Sequence, residues 1–219
     1  MSTSQTTTKI VMIYLFSEIF VGTNLLILLV AGSILGSSPK YNYPVLCFQS
    51  ITCLILVWII LLINNETSSY LTPYFMVDNL ASNAKILMSL GLLGCLGISK
   101  TRKTKAFEYY VLVLLGLLGL CFLASSLDLL SVYLCLELQT LSFYILTTFQ
   151  RSSAFSTEAG LKYFLLGAIS SALLLFGVSL TYGFSGTTNI DHLAYLYLYP
   201  ISENILLFYL IQGGLFFLA

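Results

Sequence analysis

The chain has 219 residues, of which 58% are hydrophobic and only 8% charged. Soluble domains carry about 25% charged residues, so this composition excludes an ordinary soluble domain and indicates a polytopic membrane protein. Nine basic and nine acidic residues cancel, which removes the electrostatic case for a nucleic-acid partner.

The N-terminus, MSTSQTTTKI, carries one basic residue, Lys9, and no arginine. It lacks the Arg-rich character of a transit peptide, and the apolar run after it is too long for a cleaved signal. Insertion without a removable presequence is expected. A spanning helix needs ~20 mostly apolar residues. Candidates follow at about 11–35, 45–63, 75–98, 107–124, 128–149, 160–184 and 204–219. All four prolines (Pro39, Pro44, Pro73, Pro200) fall between these runs, as uninterrupted helices require. The expected fold is an all-α, antiparallel transmembrane bundle of about seven spans forming one membrane domain over 1–219. The five cysteines (Cys47, Cys53, Cys95, Cys121, Cys135) form no C-x-x-C pair and no metal-ligand spacing, and read as small buried hydrophobes. His192 reads as a solvated loop residue.

With seven spans, alternating loops place Lys40, Lys100, Arg102, Lys103, Lys105 and Arg151 on one side and Lys9 with Glu66, Asp191 and Glu203 on the other. Six basic residues against one orient the Lys100–Lys105 side toward the matrix or cytoplasm. The N-terminus then faces the opposite compartment, and the basic run is a topology anchor at the headgroups.

The informative residues are the ionisable ones inside the spans. In the third span Lys85 shares a face with Asp78 two turns earlier. Snorkelling or a local pair accounts for Lys85, and also for Glu18 in the first span. Glu108 opens the fourth span, where the helix dipole favours a carboxylate. Glu137 lies in the middle of the fifth span. A charge at the bilayer centre costs at least ~2.5–3.5 kcal/mol, so Glu137 is either functional or a neutral carboxyl held in a helix–helix hydrogen bond. On the 3.6-residue period Tyr133, Glu137, Thr140 and Tyr144 share a face, and the hydroxyls could hydrogen-bond the carboxyl. Lys162 lies near the start of the sixth span, either snorkelling or paired with Glu108 if the fourth and sixth spans are neighbours. Gly167 and Ser171 form a small-x-x-x-small pair suited to close helix packing.

At these residues the chain resembles a known family. The segments Lys105-Ala-Phe-Glu108-Tyr-Tyr-Val-Leu-Val, Leu134-Cys-Leu-Glu137-Leu-Gln-Thr-Leu and Ser156-Thr-Glu-Ala-Gly-Leu-Lys162-Tyr-Phe-Leu-Leu-Gly are similar to NADH:ubiquinone oxidoreductase chain 2, an antiporter-like membrane subunit of respiratory complex I. The resemblance extends to Phe75-Met-Val-Asp78-Asn-Leu-Ala-Ser-Asn-Ala-Lys85 and to Leu175–Gly186, and is loose over the first, second and last spans. It implies the N-terminal part of the antiporter-like fold. It also implies that Glu137 is the buried glutamate of the proton-translocating machinery, with Lys162 and Glu108 matching its charged residues in the sixth and fourth helices. Three spans before Glu108 correspond to bacterial and plant-like versions.

The family continues through a broken seventh helix bearing a lysine, where this chain has Leu218, and then through a second helical repeat. A split subunit, completed by a second polypeptide, is therefore expected. The implied partners are that polypeptide, other membrane-arm subunits and lipids. The chain has no Gly-rich nucleotide loop, iron–sulfur cysteine set or haem ligand pair, so no cofactor is expected in it. The expected function is part of a proton path driven by quinone reduction elsewhere. The alternatives are a subunit of a cation/proton antiporter complex and a non-transporting scaffold. The resemblance implies the mitochondrial inner membrane, with the N-terminus on the intermembrane-space side; a bacterial plasma membrane or a plastid membrane is the alternative.

Overall fold

The computed structural model describes residues 16–35, 50, 55, 69–72, 74–99 and 108–198. The elements are α1 (Phe16–Leu35), β1 (Ser69–Thr72), β2 (Phe75–Val77), α2 (Asn79–Ser99), α3 (Glu108–Ser125), α4 (Leu129–Thr147), α5 (Ala154–Ser185) and α6 (Ile190–Leu198). Four of them, α2 to α5, are long and apolar enough to cross a membrane. The expected spans over 45–63 and 204–219 lie outside the described residues apart from Ser50 and Ile55, as do Lys9, Lys40, the Lys100–Lys105 run, Cys47, Cys53 and Leu218.

The bundle is built around α3. It packs most extensively on α4, and α1 and α2 cover its other sides. The buried core runs along these helices through Val21, Leu25 and Leu28 of α1, Leu96 of α2, and Val113, Leu114, Leu117 and Cys121 of α3. Nine of the eighteen residues of α3 are buried, which makes it an interior helix with no polar face. Two glycines let α4 come close. A Cβ on Gly119 would stand 3.1 Å from the backbone of Cys135 and Gln139, and one on Gly116 would stand 3.0 Å from Ser142 Oγ. Small residues at a membrane helix contact permit this approach, since lipid tails give helices no hydrophobic drive to associate.

The sixth span differs from its expected bounds. Instead of beginning near 160, α5 starts at Ala154, where Ser153 caps it by accepting from Ser156 N at 3.3 Å. It ends at Gly186, whose φ of 70° places it in the left-handed region that glycine enters freely. Its 32 residues extend about 48 Å, well beyond a ~30 Å hydrocarbon core. Among the described helices α5 packs chiefly on α4, and only Gly160, Gly177, Val178 and Thr181 are buried along it.

One end of the bundle is tied by extended backbone that the sequence pattern did not reveal. The third span was expected to be helical from 75. Residues 75–77 instead form β2, paired antiparallel to β1 with Ser69 opposite Val77. The turn between α3 and α4 lies between two other segments: Phe75 bridges to Ser126, and Asp128 bridges to Asn189. Leu127 N donates to Tyr74 O at 2.7 Å, and Ile190 N donates to Leu127 O at 2.9 Å. Inside an apolar medium each of these backbone groups needs a partner, and the non-local pairing supplies it. His192, expected in a loop, lies instead in the first turn of α6, and it is exposed. The helix begins there because Asn189 Oδ1 accepts from Asp191 N at 3.0 Å.

Candidate functional site

Glu137 lies midway along α4. The helix has two working faces. Cys135, Gln139 and Ser142 meet Gly116 and Gly119 of α3. Tyr133, Glu137, Thr140, Tyr144 and Thr148 fall on the opposite side by the 100° step of the helix. That second face turns to α5: a Cβ on Gly160 would overlap Thr148 Cγ2, and one on Gly167 would overlap Tyr144 Oη. The Tyr144 ring is buried and meets Tyr163 and Phe164 edge-on, with centroids 5.0 Å and 5.5 Å away.

The stripe therefore exists as a face, but its hydroxyls do not serve the carboxyl. Thr140 Oγ1 donates to the backbone oxygen of Glu137 at 3.2 Å, satisfying itself within the turn as threonines do in apolar helices. Tyr144 is spent on α5, two helical turns away. The half-buried Glu137 carboxyl has no hydrogen bond or ion pair to a described residue. Its neighbour on the other face, Gln139 Oε1, is buried and likewise has no partner.

Lys162 does not pair with Glu108. Its Nζ lies 2.6 Å from Glu158 Oε1, one turn back on α5, and both side chains are mostly exposed. The reason is topological: α4, and not α5, is the principal neighbour of α3, so the fourth and sixth spans are not apposed. Lys162 also stands at the level of Tyr144, because Tyr163 beside it packs there. That level is seven residues, or about 10 Å of helix rise, from Glu137. Glu108, the first residue of α3, is exposed and lines an open groove of about 520 Å³ with Leu29, Val111, Leu112, Ile145, Thr148, Phe149 and Arg151.

Lys85 and Glu18 are the largest departure from expectation. Neither snorkels, and Lys85 does not pair with Asp78. Lys85 Nζ donates to Glu18 Oε1 in an ion pair, with both side chains about 1% exposed. Asp78 Oδ1 is buried without a partner. The pair joins α1 to α2 where both lie on α3. The helical period offered Lys85 only Asp78 on its own helix as a partner. The missed signal was depth: with alternating loops, Glu18 and Lys85 enter from the same side and lie about one to two turns in, with opposite charge. Of the cysteines, Cys121 and Cys135 are buried and Cys95 is exposed.

Residues 126–219 match the family described as NADH:quinone oxidoreductase/Mrp antiporter, transmembrane. The NADH-ubiquinone oxidoreductase chain 2 of Marchantia polymorpha is 36% identical over 193 residues, covering 84% of this chain and 40% of the relative. That of Oenothera berteroana is 39% identical over 191 residues, covering 82% and 39%. Among solved structures, respiratory complex I from Thermus thermophilus with bound aureothin superposes with a TM-score of 0.73 at 29% identity, covering 92% of this chain and 42% of the other. An archaeal respiratory membrane complex, the membrane-bound sulfane sulfur reductase, superposes with a TM-score of 0.69 at 20% identity, covering 90% and 43%, which is a likeness of fold. The chain spans about two fifths of the length of these relatives. It resembles the N-terminal part of the antiporter-like membrane subunits of complex I, and its fold is an all-α membrane bundle of that type.

Proposed function

We propose, from the similarity to the N-terminal part of complex I chain 2, that this chain is a membrane-arm subunit of a proton-pumping NADH:quinone oxidoreductase. In this reading it contributes part of a proton path and belongs to the mitochondrial inner membrane, with the N-terminus on the intermembrane-space side. The observation that carries the reading is the Glu137 carboxyl, half-buried in a membrane helix with no partner among the described residues. A carboxyl kept in an apolar helix only for structure is expected to be paired, as Glu18 is. One left open on the α5 side can take up and release a proton as a charge approaches or recedes.

Glu137 is the proton-carrying group in this proposal. Tyr133 and Thr140 flank it as polar neighbours that help order water. Tyr144 holds α4 to α5 and so sets the position of the face. Lys162 and Glu108 stand near the matrix-side ends of their helices and act as charged groups at the entrance of the path. The Lys85–Glu18 pair holds two opposite charges within the membrane, without net charge. No redox cofactor is assigned to this chain, and electron transfer belongs to other parts of the complex. The partners are other membrane-arm subunits, lipids and the helices that the relatives carry beyond the matched region, whether joined to this chain or on a second polypeptide.

The test is Glu137→Gln in the assembled complex. Protons moved per electron should fall while NADH oxidation with an artificial acceptor is retained. Unchanged coupling would remove Glu137 from the path and leave a scaffold. The family description also names the Mrp antiporter, which supports a second reading as a subunit of a cation/proton antiporter. Sodium-dependent proton transport without NADH dehydrogenase subunits would select it.

A further inference from the structure

The groove at the end of the bundle where α3 begins and α4 ends has a distinct division of chemistry. Its walls are apolar: Leu29 of α1, Val111 and Leu112 of α3, and Ile145 of α4. Its mouth carries one carboxylate, Glu108, and one guanidinium, Arg151. Neither side chain has an ion pair or hydrogen bond to a described residue, although both line the same cavity. The volume of about 520 Å³ falls within the ~300–1,000 Å³ of ligand pockets. The depth is also informative. The 18 residues of α3 rise about 27 Å, close to the ~30 Å hydrocarbon thickness. Glu108 and Arg151 at the helix ends therefore stand at the headgroup boundary, and the apolar walls run inward from it.

A ligand that satisfies this arrangement is anionic at one point, cationic at a neighbouring one, and apolar behind both. We propose that the groove binds a phospholipid with an ethanolamine headgroup. The Arg151 guanidinium takes the phosphate through its paired N–H donors. The Glu108 carboxylate accepts from the primary ammonium, and one acyl chain lies along Leu112 and Ile145. Phosphatidylglycerol would meet Arg151 equally well but has no cation to offer Glu108, and cardiolipin would set a second phosphate charge against it. A choline headgroup has no N–H to donate to the carboxylate. The proposal stands on the groove and shares only Glu108 with the proton-path reading, whose own test is at Glu137; a bound ammonium would take Glu108 out of that path and leave the role of Glu137 untouched.

The experiment uses the purified complex containing the full chain, in nanodiscs, with a phosphatidylethanolamine carrying a photoreactive group on one acyl chain. Cross-links should map to peptides holding Leu112 or Ile145. The matched phosphatidylcholine probe should label them about tenfold less, the loss of roughly one charge-assisted hydrogen bond. Glu108→Gln should erase that preference. Arg151→Gln and the groove-filling Ile145→Trp should each reduce labelling there while labelling elsewhere persists. Equal labelling by the two probes, or labelling indifferent to both Arg151→Gln and Ile145→Trp, would overturn the proposal. Displacement of the probe by a short-chain quinone but not by unlabelled phosphatidylethanolamine would overturn it in favour of a quinone.

Discussion

The bundle solves the problem of a membrane carboxylate twice, in opposite ways. On the side of α1, α2 and α3, Glu18 is buried with Lys85 and both charges are closed off. On the side of α4 and α5, Glu137 has no described partner, and α5 exposes most of its length. The first arrangement is self-sufficient, since the attraction between the two charges offsets part of the cost of burying them. The second is incomplete by itself, which is what a group that must change its charge requires. A closed pair makes a rigid joint, whereas an open carboxyl at a loosely covered face can respond to what arrives there.

The comparison breaks most sharply at Lys85. Lys85→Met removes the cation that the buried Glu18 carboxylate is paired with, and should cost about 3–5 kcal/mol. The apolar pair Glu18→Leu with Lys85→Met should recover most of that loss. Thermal unfolding of the complex, followed by retention of this subunit, measures both. Recovery failing in the double variant would mean that the charges do more than satisfy each other. The next effect belongs to the α4–α5 contact. Gly167→Leu drives a side chain into Tyr144 and should cost about 1–3 kcal/mol by overpacking, read as loss of the subunit from the assembled complex. Tyr144→Phe in the same background should relieve part of it, because the hydroxyl oxygen is the nearest atom.

Two smaller effects sharpen the contrast. Lys162→Ala removes an exposed ion pair within one helix and should change stability by only about 0.3–0.5 kcal/mol, less at high salt. Glu137→Gln should change stability least, within about 0.5 kcal/mol, since the described structure offers its carboxyl no bond to lose. A large destabilisation by Glu137→Gln, measured by the same unfolding assay, would show Glu137 to be a structural carboxyl after all, of the Glu18 kind.

The membrane class and helical fold were legible because lipid leaves few choices. A run of about twenty apolar residues such as 107–124 must satisfy its own backbone, and a helix does so locally. Glu137 was legible for the same reason, as a charge where charge is expensive. The 75–77 strand was not legible, because its hydrogen bonds go to Ser126 and to β1, and three residues carry no period to read. Nor was the split among the hydroxyls of the α4 stripe. Sharing a helical face put Tyr144 and Glu137 in one row, but only the approach of Gly167 decided that Tyr144 would be taken by α5.

The sequence by itself determined that the chain would form apolar membrane helices and which of their residues would be costly in lipid, because these depend on composition and on the geometry of a single helix. The tertiary structure alone decided which charges meet. Whether Lys85 answers Glu18, and whether Lys162 can reach Glu108, depends on which helices are neighbours. For Lys162 the neighbours are set by close contacts at Gly116, Gly119, Gly160 and Gly167, where absent side chains let α4 lie against both α3 and α5 and so keep α5 away from Glu108.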